Sequence, residues 1–296
     1  MATLAIFDFS GTLSMGAVRF GEPERLKKSL QESGLWSLGV DSLTFFWEEI
    51  VNPTWQEGST TQIGYRELIV QSLNKKLGAS NVIDPNSLPN LQPDVDSDHS
   101  AKLQSGRSQP SQLQNSATAF TEHYFSASTF DLGWQPLLSQ LVHDPDCWLL
   151  IATDHYAEAT EHICHQLRRF GFTGRSLLDA RATSSASVDS STVWVANSAD
   201  LGGLKSTPQF WMMVRANLLP AKLDRIVLID DFGSNEQGAD MYAQNEKVKQ
   251  RMTQTNQVIG EQFGVEPTIV HFDLSGQSNN WDFSNIHLVF ERPSRK

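Results

Sequence analysis

Four short apolar runs end on residues that can handle a phosphate. Leu4-Ala5-Ile6-Phe7 leads into Asp8-Phe9-Ser10-Gly11-Thr12-Leu13, and Trp148 to Ala152 leads into Thr153. Val193 to Ala196 lies ahead of Lys205, and Ile226 to Ile229 leads into Asp230 and Asp231. These types are complementary: a carboxylate nucleophile, a hydroxyl, a cation, and an acidic pair of the hard oxygen donors that suit magnesium. Gly11 permits a sharp turn after Asp8, and the backbone amides around Phe9 to Thr12 can hold phosphate oxygens as an anion nest. Each residue also has a plainer reading. Thr153 followed by Asp154 can cap a helix. A lysine is more often solvated than functional, and Arg215 and Lys222 are the alternative cations. Two adjacent carboxylates buried without a cation repel each other, so Asp230-Asp231 is either an exposed turn or a metal site.

For these residues to meet, the runs must be neighbouring strands. Apolar runs followed by turn signals predict a parallel α/β sheet, whose ligands collect at the carboxyl ends of the strands. Helical composition or periodicity marks residues 22–33, 61–77, 118–125, 136–142 and 155–170, and a long polar-faced helix is expected over 235–263. Gly78 and Gly171 read as helix stops, and residues 268–272 as the last strand. Trp36, Phe45, Phe46, Trp47 and Trp55 supply aromatic area for a small helical core and are expected to pack rather than line a substrate. Residues 80–117 are Ser, Asn, Gln, Pro and Asp with scattered Leu, a composition expected to stay disordered as a tolerated insertion, with a protein partner as its one functional alternative. A second polar run, 183–192, reads as a surface loop.

The bulk numbers narrow the class. A chain of 296 residues can bury a sizeable core, and a net charge of -11 argues against general affinity for nucleic acid or anionic membrane. Two cysteines make no disulfide framework, the amino-terminal apolar run is too short and lacks the basic flank of a signal peptide, and charged or polar residues interrupt every apolar segment. A soluble cytoplasmic protein is expected.

The four motifs in this order resemble the haloacid dehalogenase superfamily of phosphohydrolases and phosphotransferases, over most of the chain outside the 80–117 insertion. The resemblance implies a Rossmann-like parallel sheet flanked by helices, formed by residues 1–15 and 141–296. A smaller helical cap, residues 16–140, would exclude water and select the substrate. Asp8 would attack phosphorus and become an aspartyl phosphate, Thr153 would hydrogen-bond the transferring group, and Lys205 would offset the charge of Asp8 and phosphate. Magnesium would bridge Asp8, the phosphate and the acidic pair, with Asp231 the first choice of ligand and Asp230 next. The backbone carbonyl of Ser10 would also meet the metal, and Asn235 or Glu236 would contribute from outside. The expected substrate is a small phosphorylated compound.

One position departs from that pattern. Phosphatases of the superfamily carry a second aspartate two residues after the nucleophile as general acid and base, and here that residue is Ser10. Serine cannot fill that role near neutral pH. A good leaving group or help from elsewhere would preserve turnover; otherwise the chain would be a catalytically impaired binding protein. Dehalogenation without metal ranks last, because the acidic pair has no part in it. Arg19, Arg25, Lys27, Lys28 and Arg66 are the cap's candidate substrate contacts. His155, Glu158, His162 and His165, beside Cys164, lack the tight spacing of a helical zinc site and read as a solvated polar face.

Overall fold

The structure is a computed structural model that describes residues 2–80, 109–181, 192–218, 222–274 and 284–291. Strand β1 (Thr3–Phe7) is followed by α1 (Met15–Phe20), α2 (Pro23–Glu32), α3 (Leu43–Phe45), a π-helical stretch (Phe46–Val51), α4 (Asn52–Gly58), α5 (Tyr65–Ser80) and α6 (Gln109–Ala127). The chain returns through α7 (Gln135–Val142) to β2 (Cys147–Thr153), α8 (Ala159–Arg169), β3 (Thr173–Ser176) and β4 (Thr192–Asn197). It ends with α9 (Ser198–Leu201), α10 (Pro208–Asn217), β5 (Arg225–Asp230), α11 (Asn245–Phe263), β6 (Thr268–His271) and α12 (Ser284–Phe290).

All six strands are parallel, in the order β3-β4-β2-β1-β5-β6. The strands nearest the centre are almost wholly apolar because helices cover both faces. Period-two alternation then divides β1 between two cores: Ala5 and Phe7 pack with Leu137, Leu138 and Ile163, while Leu4 and Ile6 pack with Phe210, Trp211 and Ile259. Phe7 pairs with both Ile151 and Ile229, so the carboxyl ends of β1, β2 and β5 lie side by side, with β2 running two residues further to Thr153. The chain leaves β1 toward β2 on one side and later crosses from β4 to β5 on the other side of β1, which opens a crevice at their carboxyl ends.

A third core lies in the helical segment between β1 and β2, where Leu30, Ile50, Ile69 and Phe120 are fully buried. This agrees with the α/β fold and helical insertion that the resemblance implied. Several boundaries differ. Residues 81–108 and most of the 183–192 run lie outside the described residues, but 109–117, expected within the disordered insertion, begin helix α6. Leu113, Ala117 and Phe120 fall on one helical face and bury, so three apolar side chains anchor an otherwise polar segment. Phe130, Trp134 and Leu137 already pack under the sheet, so the core resumes before residue 141. Helix α5 continues through Gly78, and the helix expected from 235 begins only at Asn245. Strand β3 carries no apolar run; it is an edge strand, recognisable only through its pairing with β4.

Candidate active site

Asp8 leaves β1 at the crevice, and its own N–H still donates to the Ile229 carbonyl at 2.9 Å, which ties the nucleophile position to β5. The chain then turns at Gly11, whose φ is +75°. A Cβ at Gly11 would lie 2.4 Å from Asp231 Oδ2, so glycine is required both by the turn and by the approach of the acidic loop. The Gly11 N–H donates to the Ser14 carbonyl and serves the turn rather than an anion. Phe9 is buried in an aromatic group with Phe130, His155 and His162. Thr12 accepts the Asp231 N–H at 3.1 Å, and Trp134 Nε1 donates to the Thr12 carbonyl at 2.9 Å. The turn is thus held from both sides.

Lys205 arrives from the segment between α9 and α10. Its ammonium donates to Asp8 Oδ1 and to Asp230 Oδ2, each at 2.6 Å, and all three side chains are buried. Asp8, Asp230 and Asp231 present carboxylate oxygens within 4.8 Å of one another. One cation therefore faces three acids. Burial pushes Asp8 up to about 8 against the pull of Lys205, and Asp230 adds to the rise. Asp231 is held well above the carboxylate range by burial and then by Asp8 and Asp230. Burial alone would lower Lys205, but Asp230 and Asp8 reverse that and hold its ammonium charged. Buried carboxylates in such excess, all oxygen donors, fit a divalent hard cation; Lys205 contacts one oxygen each of Asp8 and Asp230 and none of Asp231.

The remaining expected residues divide. Thr153, at the end of β2, is 1 % exposed and its hydroxyl has no partner among the described residues, so it caps no helix there. Helix α8 starts only at Ala159 because residues 154–158 turn toward the site. Asp154 accepts the Lys205 N–H at 2.8 Å and the Tyr242 hydroxyl at 3.2 Å, a role in orienting Lys205 that the capping reading missed. Asn235 reaches the site, but its amide donates to the carbonyls of Gly11 and Phe272 and its oxygen accepts the Leu274 N–H. Its backbone N–H donates to Asp231 Oδ2 at 3.0 Å, so it meets the acidic group from outside while its side chain holds backbone together. Arg215 bonds the Gln262 carbonyl and Lys222 is exposed, so neither alternative cation replaces Lys205.

Ser10 and Glu236 come together across the crevice. The Ser10 hydroxyl donates to Glu236 Oε1 at 2.7 Å, and burial, then the charge of Asp240, pushes Glu236 up to about 7. Above them lies a cavity with Asp8, Ser10, Asp231 and Glu236 on its floor. Trp47, Trp55, Tyr65, Tyr124, Tyr156 and Tyr242 line its walls. Arg19, Arg25, Lys27, Lys28 and Arg66, the cap's candidate contacts, do not line it. Phe46, Trp47 and Trp55 do line it, although packing alone was expected of them.

The histidine stripe is also corrected. His155 is buried, and burial lowers its pKa to about 3. Its Nδ1 accepts the Tyr156 N–H at 2.8 Å, so Nε2 carries the proton and donates to the Tyr124 hydroxyl at 2.8 Å. His162 meets the Ser128 carbonyl at 2.6 Å, and Glu158 accepts the N–H groups of Tyr65 and Arg66. Of the residues in that stripe only His165 is exposed. Among the described residues the sole group with metal-ligand spacing is Asp8, Asp230 and Asp231.

Comparison with protein-family models and with curated proteins finds no match. A solved structure described as a predicted HAD-like family hydrolase from Porphyromonas gingivalis is similar over 99% of this chain and 100% of its own, at 13% identity and a TM-score of 0.43. No helix among the described residues is long and apolar enough to cross a membrane.

Proposed function

We propose that the protein is a magnesium-dependent phosphohydrolase that acts on a small phosphorylated compound through an aspartyl phosphate on Asp8. The observation that carries this reading is the buried Lys205 ammonium held 2.6 Å from both Asp8 and Asp230, with Asp231 at ligand distance. Asp8 and Asp231, with the Ser10 carbonyl, would hold the metal, which when bound supplies positive charge to the phosphoryl oxygens and keeps Asp8 ionised. An Asp8 oxygen attacks phosphorus and the bond to the leaving oxygen breaks, while Lys205 offsets the charge gathered there. The unpartnered Thr153 hydroxyl supports a contact with the transferring group. Water then attacks the aspartyl phosphate, releasing inorganic phosphate and restoring Asp8.

In this reading Glu236 supplies what Ser10 lacks. Its carboxyl, near neutral in pKa and bonded to the Ser10 hydroxyl, gives a proton to the leaving oxygen and takes one from the attacking water. The test is phosphate release from phosphoesters, phosphonates and acyl phosphates with magnesium, beside Asp8→Asn. Release by the wild type alone is expected. No release from any compound, with magnesium and phosphate still binding, would favour the impaired binding protein instead.

A further inference from the structure

The walls of the cavity say more about the leaving group than its floor does. Five rings form a connected chain: Tyr242 meets Trp55 edge-on at 5.4 Å, Trp55 meets Tyr156 at 5.3 Å, Tyr156 stacks on Tyr65 at 4.2 Å, and Tyr65 meets Tyr124 at 5.9 Å. Asp240 belongs to the same lining, and its charge bears on Tyr65, Tyr124 and Tyr156. No lysine or arginine among the described residues lines the cavity. Lys205 is committed to Asp8 and Asp230, and Arg251, 3.5 Å from the centre of the Tyr242 ring, has its donors on the carbonyls of Phe232 and Tyr242. Tyr156 adds a buried hydroxyl with no partner among the described residues.

We propose that this cavity selects phosphomonoesters whose alcohol carries an ammonium group, received by the half-buried Trp55 ring, with the stacked Tyr65 and Tyr156 behind it, and by the Asp240 carboxylate. The proposal rests on the phosphohydrolase reading above. Faces of Trp and Tyr carry negative potential and attract a cation, most strongly when it is desolvated. Asp240 Oδ1 accepts the Tyr242 N–H at 2.8 Å, but no cation lines the cavity beside it among the described residues. A purely apolar group would satisfy the rings and leave that carboxylate without a countercharge in the cavity, and an alcohol bearing further phosphates or carboxylates would meet like charge. An ammonium satisfies both the rings and the carboxylate, while its phosphate faces Lys205 and Asp8.

The experiment compares phosphocholine with its uncharged isostere, 3,3-dimethylbutyl phosphate, with acetyl phosphate as a reporter that needs no wall contact, all with magnesium. The expected result is a kcat/KM at least about tenfold higher for phosphocholine than for the isostere. In Asp240→Asn and in Trp55→Leu the ratio of the two should fall toward one, and because it is taken within one variant, loss of folded protein does not mimic the effect. Equal or faster turnover of the isostere by the wild type would overturn the proposal, as would hydrolysis of acetyl phosphate with neither ester accepted; both leave the phosphohydrolase reading standing. If acetyl phosphate too is untouched, that reading fails, and tryptophan fluorescence titration with the two esters decides the cavity: tighter phosphocholine binding supports the cation site, and equal binding overturns it.

Discussion

Three carboxylates around one ammonium leave an excess of buried negative charge, and its effect on pH dependence has a definite sign. Asp8 and Glu236 hold protons to about 8 and about 7 in the folded protein, against ordinary values of 3.8 and 4.5. Between those limits the folded state binds more protons than the unfolded chain, so the metal-free protein loses stability as pH rises from about 4 to about 8. Magnesium needs the ionised carboxylates, so its stabilisation should grow over the same interval. Thermal unfolding at pH 5.5 and pH 8, with and without magnesium, reads both slopes; a metal-free melting temperature that rises with pH would contradict the buried cluster.

Glu236 makes a second prediction at the same scale. Glu236→Gln keeps an oxygen for the Ser10 hydroxyl but cannot donate the carboxyl proton. The variant should lose on the order of 10²-fold in rate on alkyl phosphates, the usual range for general acid catalysis, and far less on acyl phosphates, whose leaving group needs no proton. Equal losses on both substrates would remove Glu236 from the proton path.

Elements are joined by side chains that close their ends. Helix α5 begins at Tyr65 with its first N–H groups directed at Glu158, at 2.9 Å from Tyr65 and 3.4 Å from Arg66. A carboxylate there satisfies orphan donors and meets the positive end of the helix dipole. Because Glu158 precedes α8, the contact also ties the helical insertion to the sheet domain. Glu158→Ala should cost about 1–2 kcal/mol in denaturant unfolding and speed hydrogen exchange in the first turn of α5 before other segments. Uniform exchange across the chain would place the loss elsewhere.

At the scale of the whole molecule, the cap and the sheet domain share a core residue. Tyr156 follows β2 in the chain, yet it packs with Leu68 and Phe120 of the insertion and stacks on Tyr65. A Cβ on Gly58 would lie 2.6 Å from its ring, so the cap closes tightly over it. Tyr156→Ala should destabilise by about 3–5 kcal/mol, as for other large aromatic truncations. Tyr156→Phe removes only the unpartnered hydroxyl and should leave stability unchanged or slightly higher, as calorimetry would show.

The amino-acid sequence by itself determined the central sheet and the order of the acidic, hydroxyl and cationic residues along it. Buried parallel strands read as continuous apolar runs, and strand ends are where the chain must turn, so Asp8, Thr153, Asp230 and Asp231 were legible from local pattern alone. Lys205 was legible only by its place in that series. Tertiary structure decided the rest. Asn235 was expected to support the metal site from outside; its N–H does bond Asp231, but the engagement of its side chain by three backbone groups from distant segments was not legible. His155 looks solvated on its helical stripe, but the helix starts four residues later and the ring turns inward. Ser10 meets Glu236 across 226 positions of chain, and the aromatic wall draws on residues from Trp55 to Tyr242. Local periodicity records which face of an element is buried. It carries no record of which distant side chain lies opposite, and that pairing forms the cavity.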